Sequence, residues 1–274
     1  MFDEAEIVPV IVGATGSGKT GVGVEIAKEI GGEIISADSR TIYKGMDVGT
    51  AKPSLVEREG VPHFGFDLVE PGERFTVKDW KDYAEAVIAD IERRGKVPMV
   101  VGGTGLYVDA LIFDYKFEAE GKGYGKERGE CIKNLNGREG SLVQNDETKY
   151  PDRQKMCTKY KVFGIWWEPE ELKKRLFERA DKMFNDELYA ETERLVKKYG
   201  WENKAMTSDV YQFAWKYMQG ELSREEAVRL NAIDDWHLAK RQLTWFKRNE
   251  NILWLPLEKV KDTVIKCMQN EQRK

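Results

Sequence analysis

The sequence has no apolar run near the roughly 18 residues that a bilayer-spanning helix needs, so no transmembrane segment is predicted. Cysteine is scarce: Cys131, Cys157 and Cys267 are odd in number, widely spaced and form no Cys-x-x-Cys pair. With only two histidines beside them, a structural zinc site is not expected, and reduced cytoplasmic thiols are the simple reading. A strong charge of one sign is also missing. Lys and Arg number 44 against 48 Asp and Glu, a net charge of -4. That balance excludes a polyelectrolyte-like disordered chain and a protein that coats nucleic acid over its whole surface, but not a local basic groove. The acidic start, Met1-Phe2-Asp3-Glu4, fits neither a secretory signal nor an Arg-rich transit peptide. What is present suits a globular fold: 41% hydrophobic residues, with eleven Phe and eleven Tyr to anchor a core. A length of 274 residues suggests one large domain or a main domain with an appendage.

Along the first part, short apolar runs alternate with amphipathic stretches. Ile7 to Val12 reads as a strand, Gly18 to Ile30 as a helix, and Glu33 to Ser36 as a second strand. His63 to Val69 reads as a third strand and Thr76 to Arg93 as a helix with Trp80, Ala84, Ile88 and Ile91 on one side. Lys96 to Val101 is a further strand, and Gly102-Gly103-Thr104-Gly105 leads into a helix through Leu106 and Leu111. This alternation implies a parallel sheet covered by helices on both faces. From 115 to 161 the chain is polar, with eleven Lys/Arg against eight Asp/Glu, and reads as an insertion. Lys161 to Trp167 resumes as a strand. Helices follow at Glu170 to Phe184, Glu187 to Lys198 and Ala205 to Met218. Ser223 and Glu226 form a capping box ahead of a helix to about Lys247, then come a strand at Ile252 to Leu255 and a helix at Leu257 to Met268. With Gly13-x-x-x-x-Gly18-Lys19-Thr20 joining the first strand to the first helix, the predicted class is α/β, a P-loop NTPase-like parallel sheet flanked by helices, with a small insertion and a helical C-terminal part. The predicted division is a first part of the catalytic core at 1–114, a reduced insertion at 115–160, and completion of the core with C-terminal helices at 161–274.

Gly13-Ala14-Thr15-Gly16-Ser17-Gly18-Lys19-Thr20 matches the G-x-x-x-x-G-K-[ST] phosphate loop in full, with a β-branched strand before it and a helix after it. The glycines let successive N–H groups converge on one anion, and the helix N-terminus adds positive potential. Lys19 supplies a full charge, and the Thr20 hydroxyl is placed for Mg²⁺. Asp38 follows the second strand, at the sheet edge where α/β proteins bind ligands, and either accepts a proton or simply caps a turn. Lys52 either lines a phosphate site or is solvated. The strand before Gly102 ends without the Asp that motor and switch ATPases use for Mg²⁺, which argues against an NTP-hydrolysing machine. Its glycines suit a bulky group approaching the backbone.

The phosphate loop, Ile35-Ser36-Ala37-Asp38-Ser39-Arg40, the run from Ile42 to Pro53, Pro71 to Val77, and Gly102 to Tyr107 together resemble the tRNA dimethylallyltransferases, in that family's order. Ala239-Lys240-Arg241-Gln242-Leu243-Thr244-Trp245-Phe246 resembles the same family's late helix. The resemblance implies transfer of a dimethylallyl group from its diphosphate to N6 of an adenosine in the tRNA anticodon stem-loop. It implies that Gly13 to Thr20 hold the diphosphate, with Mg²⁺ on Thr20, and that Thr15, Lys19 and Asp38 carry the chemistry, Asp38 as base. It implies that Asp38, Ser39, Arg40, Thr41 and Thr104 meet the target nucleotide, which is flipped from its stack. Where the family has a Thr-Arg pair reaching the diphosphate, this chain has Asp235 and Trp236, so that either Lys240 or Arg241 replaces the cation or diphosphate binding is weaker. A cytoplasmic, non-membrane monomer is expected.

Other patterns leave two readings. The acid-free stretch Trp236 to Asn249 mixes Lys240, Arg241, Lys247 and Arg248 with Trp236, Trp245 and Phe246, either to grip RNA or as an amphipathic helix with buried rings. Arg175 and Arg179, one turn apart, read as a solvated face or as a kinase-like lid. Trp166-Trp167 reads as packing before cofactor stacking. Competing functions are prenylation of a free adenine nucleotide, a small-molecule kinase, and an inactive RNA-binding homologue.

Overall fold

A computed structural model describes residues 7–117 and 156–271. Most of the predicted insertion, including Cys131, lies outside them. Six strands form one parallel sheet in the order β3-β2-β4-β1-β5-β6. These are β1 Val8–Gly13, β2 Gly32–Ala37, β3 His63–Phe64, β4 Val97–Gly102, β5 Tyr160–Trp166 and β6 Leu253–Pro256. The inner strands are apolar on both faces because helices cover both. On one face Val8, Val10 and Val12 pack with Trp80, Ile88 and Ile91 of α2 (Val77–Arg93) and with Val108 and Leu111 of α3 (Gly105–Ile112). On the other face Ile11, Met99 and Ile165 pack with Ile26 of α1 (Lys19–Ile30) and with Val260 and Val264 of α8 (Leu257–Glu271).

A third core is helical. It joins α4 (Pro169–Met183), α5 (Asp186–Tyr199), α6 (Asp209–Met218) and α7 (Arg224–Phe246) around Phe184, Leu188, Leu195, Tyr211 and Ala214, and it buries Met46 from the long β2–β3 connection. The Ser223/Glu226 capping box forms: Ser223 Oγ accepts from the Glu226 N–H at 3.2 Å, and Glu226 Oε2 accepts from the Ser223 N–H at 2.9 Å. Thr76 and Asp79 form a second one at the start of α2.

Two elements differ from the pattern reading. β3 stops at Phe64, because Gly65 turns with φ +90° and lies so close to β2 that a Cβ there would sit 2.9 Å from the Ser36 carbonyl. Beyond it only a single bridge, Tyr43 to Val69, survives. The helix expected from Ala205 to Met218 is broken at Ser208, whose extended backbone separates a 3₁₀ turn (Lys204–Thr207) from α6. The break lets Ala205 and Met206 turn into the third core, both essentially fully buried. No helix among the described residues is long and apolar enough to cross a membrane.

Candidate active site

The Gly13–Thr20 loop connects β1 to α1 at the C-terminal edge of the sheet. Gly16 and Gly18 take the left-handed conformation (φ +72° and +90°) that other residues resist. Gly16 is also closed in, since a Cβ there would lie 2.6 Å from Leu176 of α4. Lys19 folds back so that Nζ donates to the Ala14 carbonyl at 2.8 Å. Burial pulls its pKa down to about 8; the carboxylate of Asp38 opposes that shift and the nearby Arg179 adds to it. Ser17 is fully buried and its Oγ has no hydrogen-bond partner among the described residues. Thr20 is exposed at the first turn of α1 and lines the cleft with Lys19.

The loop is held from far along the chain. Arg175 Nε donates to the Gly16 carbonyl at 3.1 Å, and its guanidinium lies 4.4 Å over the Trp167 ring. Trp167 Nε1 donates to the Ser17 carbonyl at 3.0 Å. Arg179 donates to the Thr15 hydroxyl and stands 3.9 Å from Asp235. The α4 arginine pair is therefore not a solvated face: it converges on the phosphate loop. Gln242 is a clamp that the sequence reading passed over. Its Oε1 accepts from the Thr15 N–H at 2.7 Å, while its Nε2 donates to the Gly103 carbonyl at 3.0 Å. The usable signal was a lone amide three residues after Ala239 and four before Phe246, on the helix face that those two buried residues mark.

Asp38 sits just past β2 and lines the same cleft. Its Oδ1 accepts from the backbone N–H of Arg40 at 2.8 Å and of Thr41 at 3.4 Å. Asp38 thus caps the turn, one of its two sequence readings, and its residue also lines the cleft. Thr41 is buried, with Oγ1 3.3 Å from Ser36 Oγ. Thr104 accepts from the Ser39 N–H at 3.0 Å and donates to Ser39 Oγ at 3.3 Å, tying the end of β2 to the end of β4. Arg40 is exposed beside this turn. The cleft has a volume of about 470 Å³ and brings together Thr15, Lys19, Thr20, Asp38, Thr41, Arg175 and Arg179, with Thr50, Ala51 and Pro53 as a further wall.

Several expectations are corrected. Lys52 is neither solvated nor on a phosphate site: it is buried, and Nζ donates to Asp47 at 2.6 Å, Asp67 at 2.7 Å and the Tyr43 carbonyl at 3.0 Å. The group that approaches the Gly102–Gly105 turn is the protein's own. A Cβ on Gly103 would lie 2.5 Å from Gln242 Nε2, and one on Gly105 would lie 2.2 Å from the Trp245 ring. The rings of 236–249 are packing elements: Phe246 is buried, Trp245 donates to Asp109 at 2.9 Å, and Trp236 packs against Leu172 and Leu176. Lys240 and Arg241 are exposed and line no part of the cleft, so the cations beside the loop are Arg175 and Arg179 instead.

An IPP transferase family model matches residues 41–141 and 130–249, and an isopentenyl transferase model matches residues 6–63. The tRNA dimethylallyltransferase of Desulforudis audaxviator is 37% identical over 283 residues, covering 91% of this chain and 91% of that one. That of Pelotomaculum thermopropionicum is 36% identical, covering 92% and 91%. Among solved structures, the tRNA delta(2)-isopentenylpyrophosphate transferase of Staphylococcus epidermidis superposes with a TM-score of 0.76 at 31% identity, covering 96% of this chain and 99% of that one. The full-length tRNA isopentenylpyrophosphate transferase of Bacillus halodurans gives 0.76 at 28% identity, covering 98% of each. With matches along nearly its whole length and a phosphate loop built into the same sheet edge as Asp38, the chain belongs to the IPP transferase family, that of the tRNA dimethylallyltransferases.

Proposed function

We propose that this chain transfers a dimethylallyl group from dimethylallyl diphosphate to N6 of an adenosine beside a tRNA anticodon. The observation that carries the reading is one cleft holding a phosphate loop, two arginines and a carboxylate. Gly13 to Thr20 would bind the diphosphate through backbone N–H groups and Lys19, with Arg175 and Arg179 adding charge from the α4 side. As the allylic C–O bond breaks, its electron pair leaves with the diphosphate, and these cations stabilise the charge that develops there. The N6 lone pair forms the new N–C bond, and the proton lost from N6 passes to Asp38. Thr15, held by Arg179 and Gln242, keeps the loop in register with the reacting centre.

The Thr20 hydroxyl, an oxygen donor in the wall of the cleft, fits a hard cation. Mg²⁺ would be held by Thr20 with diphosphate oxygens and would supply further neutralisation of the leaving group. Ser39, Arg40, Thr41 and Thr104 surround Asp38 and would meet the acceptor nucleotide. A target base reaches a cleft of this size only out of its stack. Lys240 and Arg241, exposed on α7, would contact phosphates of the tRNA.

The test is to incubate the protein with dimethylallyl diphosphate, Mg²⁺ and unmodified tRNA, digest, and search by mass spectrometry for N6-dimethylallyladenosine, with AMP, ADP and ATP as parallel acceptors. Product on tRNA is expected; product on a free nucleotide alone would change the acceptor, and no product on any acceptor would sink the reading. Asp38→Asn is expected to lower turnover by roughly 10²- to 10⁴-fold while diphosphate binding stays intact. Full activity in that variant would remove Asp38 from the base role.

A further inference from the structure

Asp235 is an unusual residue to find behind an anion site. Its side chain is only 17% exposed, Oδ2 is sealed from solvent, and that oxygen receives no hydrogen bond. The cation beside it is Arg179, with Nη1 at 3.9 Å, a charge contact longer than a hydrogen bond. Arg179 spends its own hydrogen bond on the Thr15 hydroxyl in the phosphate loop. The same guanidinium faces the cleft and acts as a like charge on Lys19. The adjacent Asp234 pairs with Asp209 of α6, with Arg241 as the nearby cation and Asp235 as a weaker like charge. Burial pushes the Asp235 carboxyl up from its ordinary range and Arg179 pulls it back. Among the described residues Asp235 therefore has one counter-ion, and that counter-ion also serves the phosphate loop.

A carboxylate that shares an arginine with an anion site lowers the free energy of that arginine when the site is empty. A diphosphate must then compete for a guanidinium already partly neutralised. We infer that Asp235 is an internal counter-anion of Arg179 that weakens diphosphate binding and so eases release of the diphosphate product. The inference rests on the reading of Gly13 to Thr20 as the diphosphate site. It assigns Asp235 no contact with either substrate; its effect runs through Arg179.

Titration of the whole protein with inorganic diphosphate and Mg²⁺ by calorimetry tests it. Asp235→Asn removes the charge and keeps the shape, and it is expected to tighten diphosphate binding about fivefold to tenfold. Inhibition of the transfer reaction by diphosphate should strengthen in proportion. A gain in affinity is not something that local misfolding produces, and Asp235→Ser is the second variant where the amide is not tolerated. In an Arg179→Ala background the same substitution should change affinity less than about twofold, because the shared cation is gone. Unchanged or weaker binding in Asp235→Asn and Asp235→Ser would overturn the inference. So would a gain that persists without Arg179, which would mean direct repulsion. Wild-type protein that binds no diphosphate would instead overturn the site reading beneath it.

Discussion

Lys19 donates to the carbonyl of its own loop at 2.8 Å and has its pKa pulled down to about 8 by burial, against the pull of Asp38 and with the help of Arg179. An arriving diphosphate favours the ammonium and raises that pKa, so binding takes up a proton. Affinity for diphosphate is therefore expected to fall as pH rises through about 8. Calorimetry in buffers of different ionisation enthalpy reads the uptake directly; no uptake above that pH would contradict this account of Lys19. The stability sign is the reverse. The folded pKa lies below the ordinary value of 10.5, so the unfolded chain holds the proton more tightly, and the ligand-free protein gains stability from this group as pH rises from about 8 to 10.5. Lys19 was legible because the loop motif names its position. Arg175 and Arg179 were not, because cations one turn apart on a helix are ordinarily solvated, and nothing in their spacing says that α4 runs under the loop.

The turn at 46–53 is an element built around one buried carboxylate. Glu191 of α5 accepts from the N–H groups of Asp47 at 2.9 Å, Val48 at 2.9 Å and Gly49 at 3.0 Å, and from the Tyr211 hydroxyl at 2.8 Å. Gly49 has to be glycine, because a Cβ there would lie 2.5 Å from the Tyr211 ring. Thr50, Ala51 and Pro53 of this turn wall the cleft, so α5 and α6 position part of its surface. Glu191→Ala leaves these donors without their acceptor and is expected to cost about 3 kcal/mol, against about 1 kcal/mol for Tyr211→Phe. Denaturant unfolding measures both; equal costs would show that the tyrosine, and not the carboxylate, organises the turn. The run from Ile42 to Pro53 stood out in the sequence, but its meaning as a pinned wall did not. Lys52, which a sequence reader places in solvent or on phosphate, is a buried bridge between Asp47 and Asp67.

Across the whole molecule the phosphate loop is where distant parts of the chain meet. Arg179 bonds it across 164 residues and Gln242 across 227, and Leu257 of α8 closes against Gly18. Diphosphate bound there should stabilise the native state globally, by about 2.7 kcal/mol at a ligand concentration of a hundred times Kd. For a domain of this size that is a rise of roughly 5–10 °C in the thermal midpoint. No rise at saturating diphosphate would mean that the loop opens independently of the rest. The sequence by itself determined the parallel α/β sheet, the phosphate loop, the Ser223 cap of α7 and the family. Those signals are local, carried by hydrophobic period, by turn chemistry and by contiguous runs such as Ile35 to Arg40. Only the tertiary structure decided which side chains complete the site. Arg175, Arg179 and Gln242 reach the loop, and Asp235 reaches Arg179, because α4 packs along α7 at the sheet edge, and a contact between residues so far apart in the chain leaves no periodicity to read.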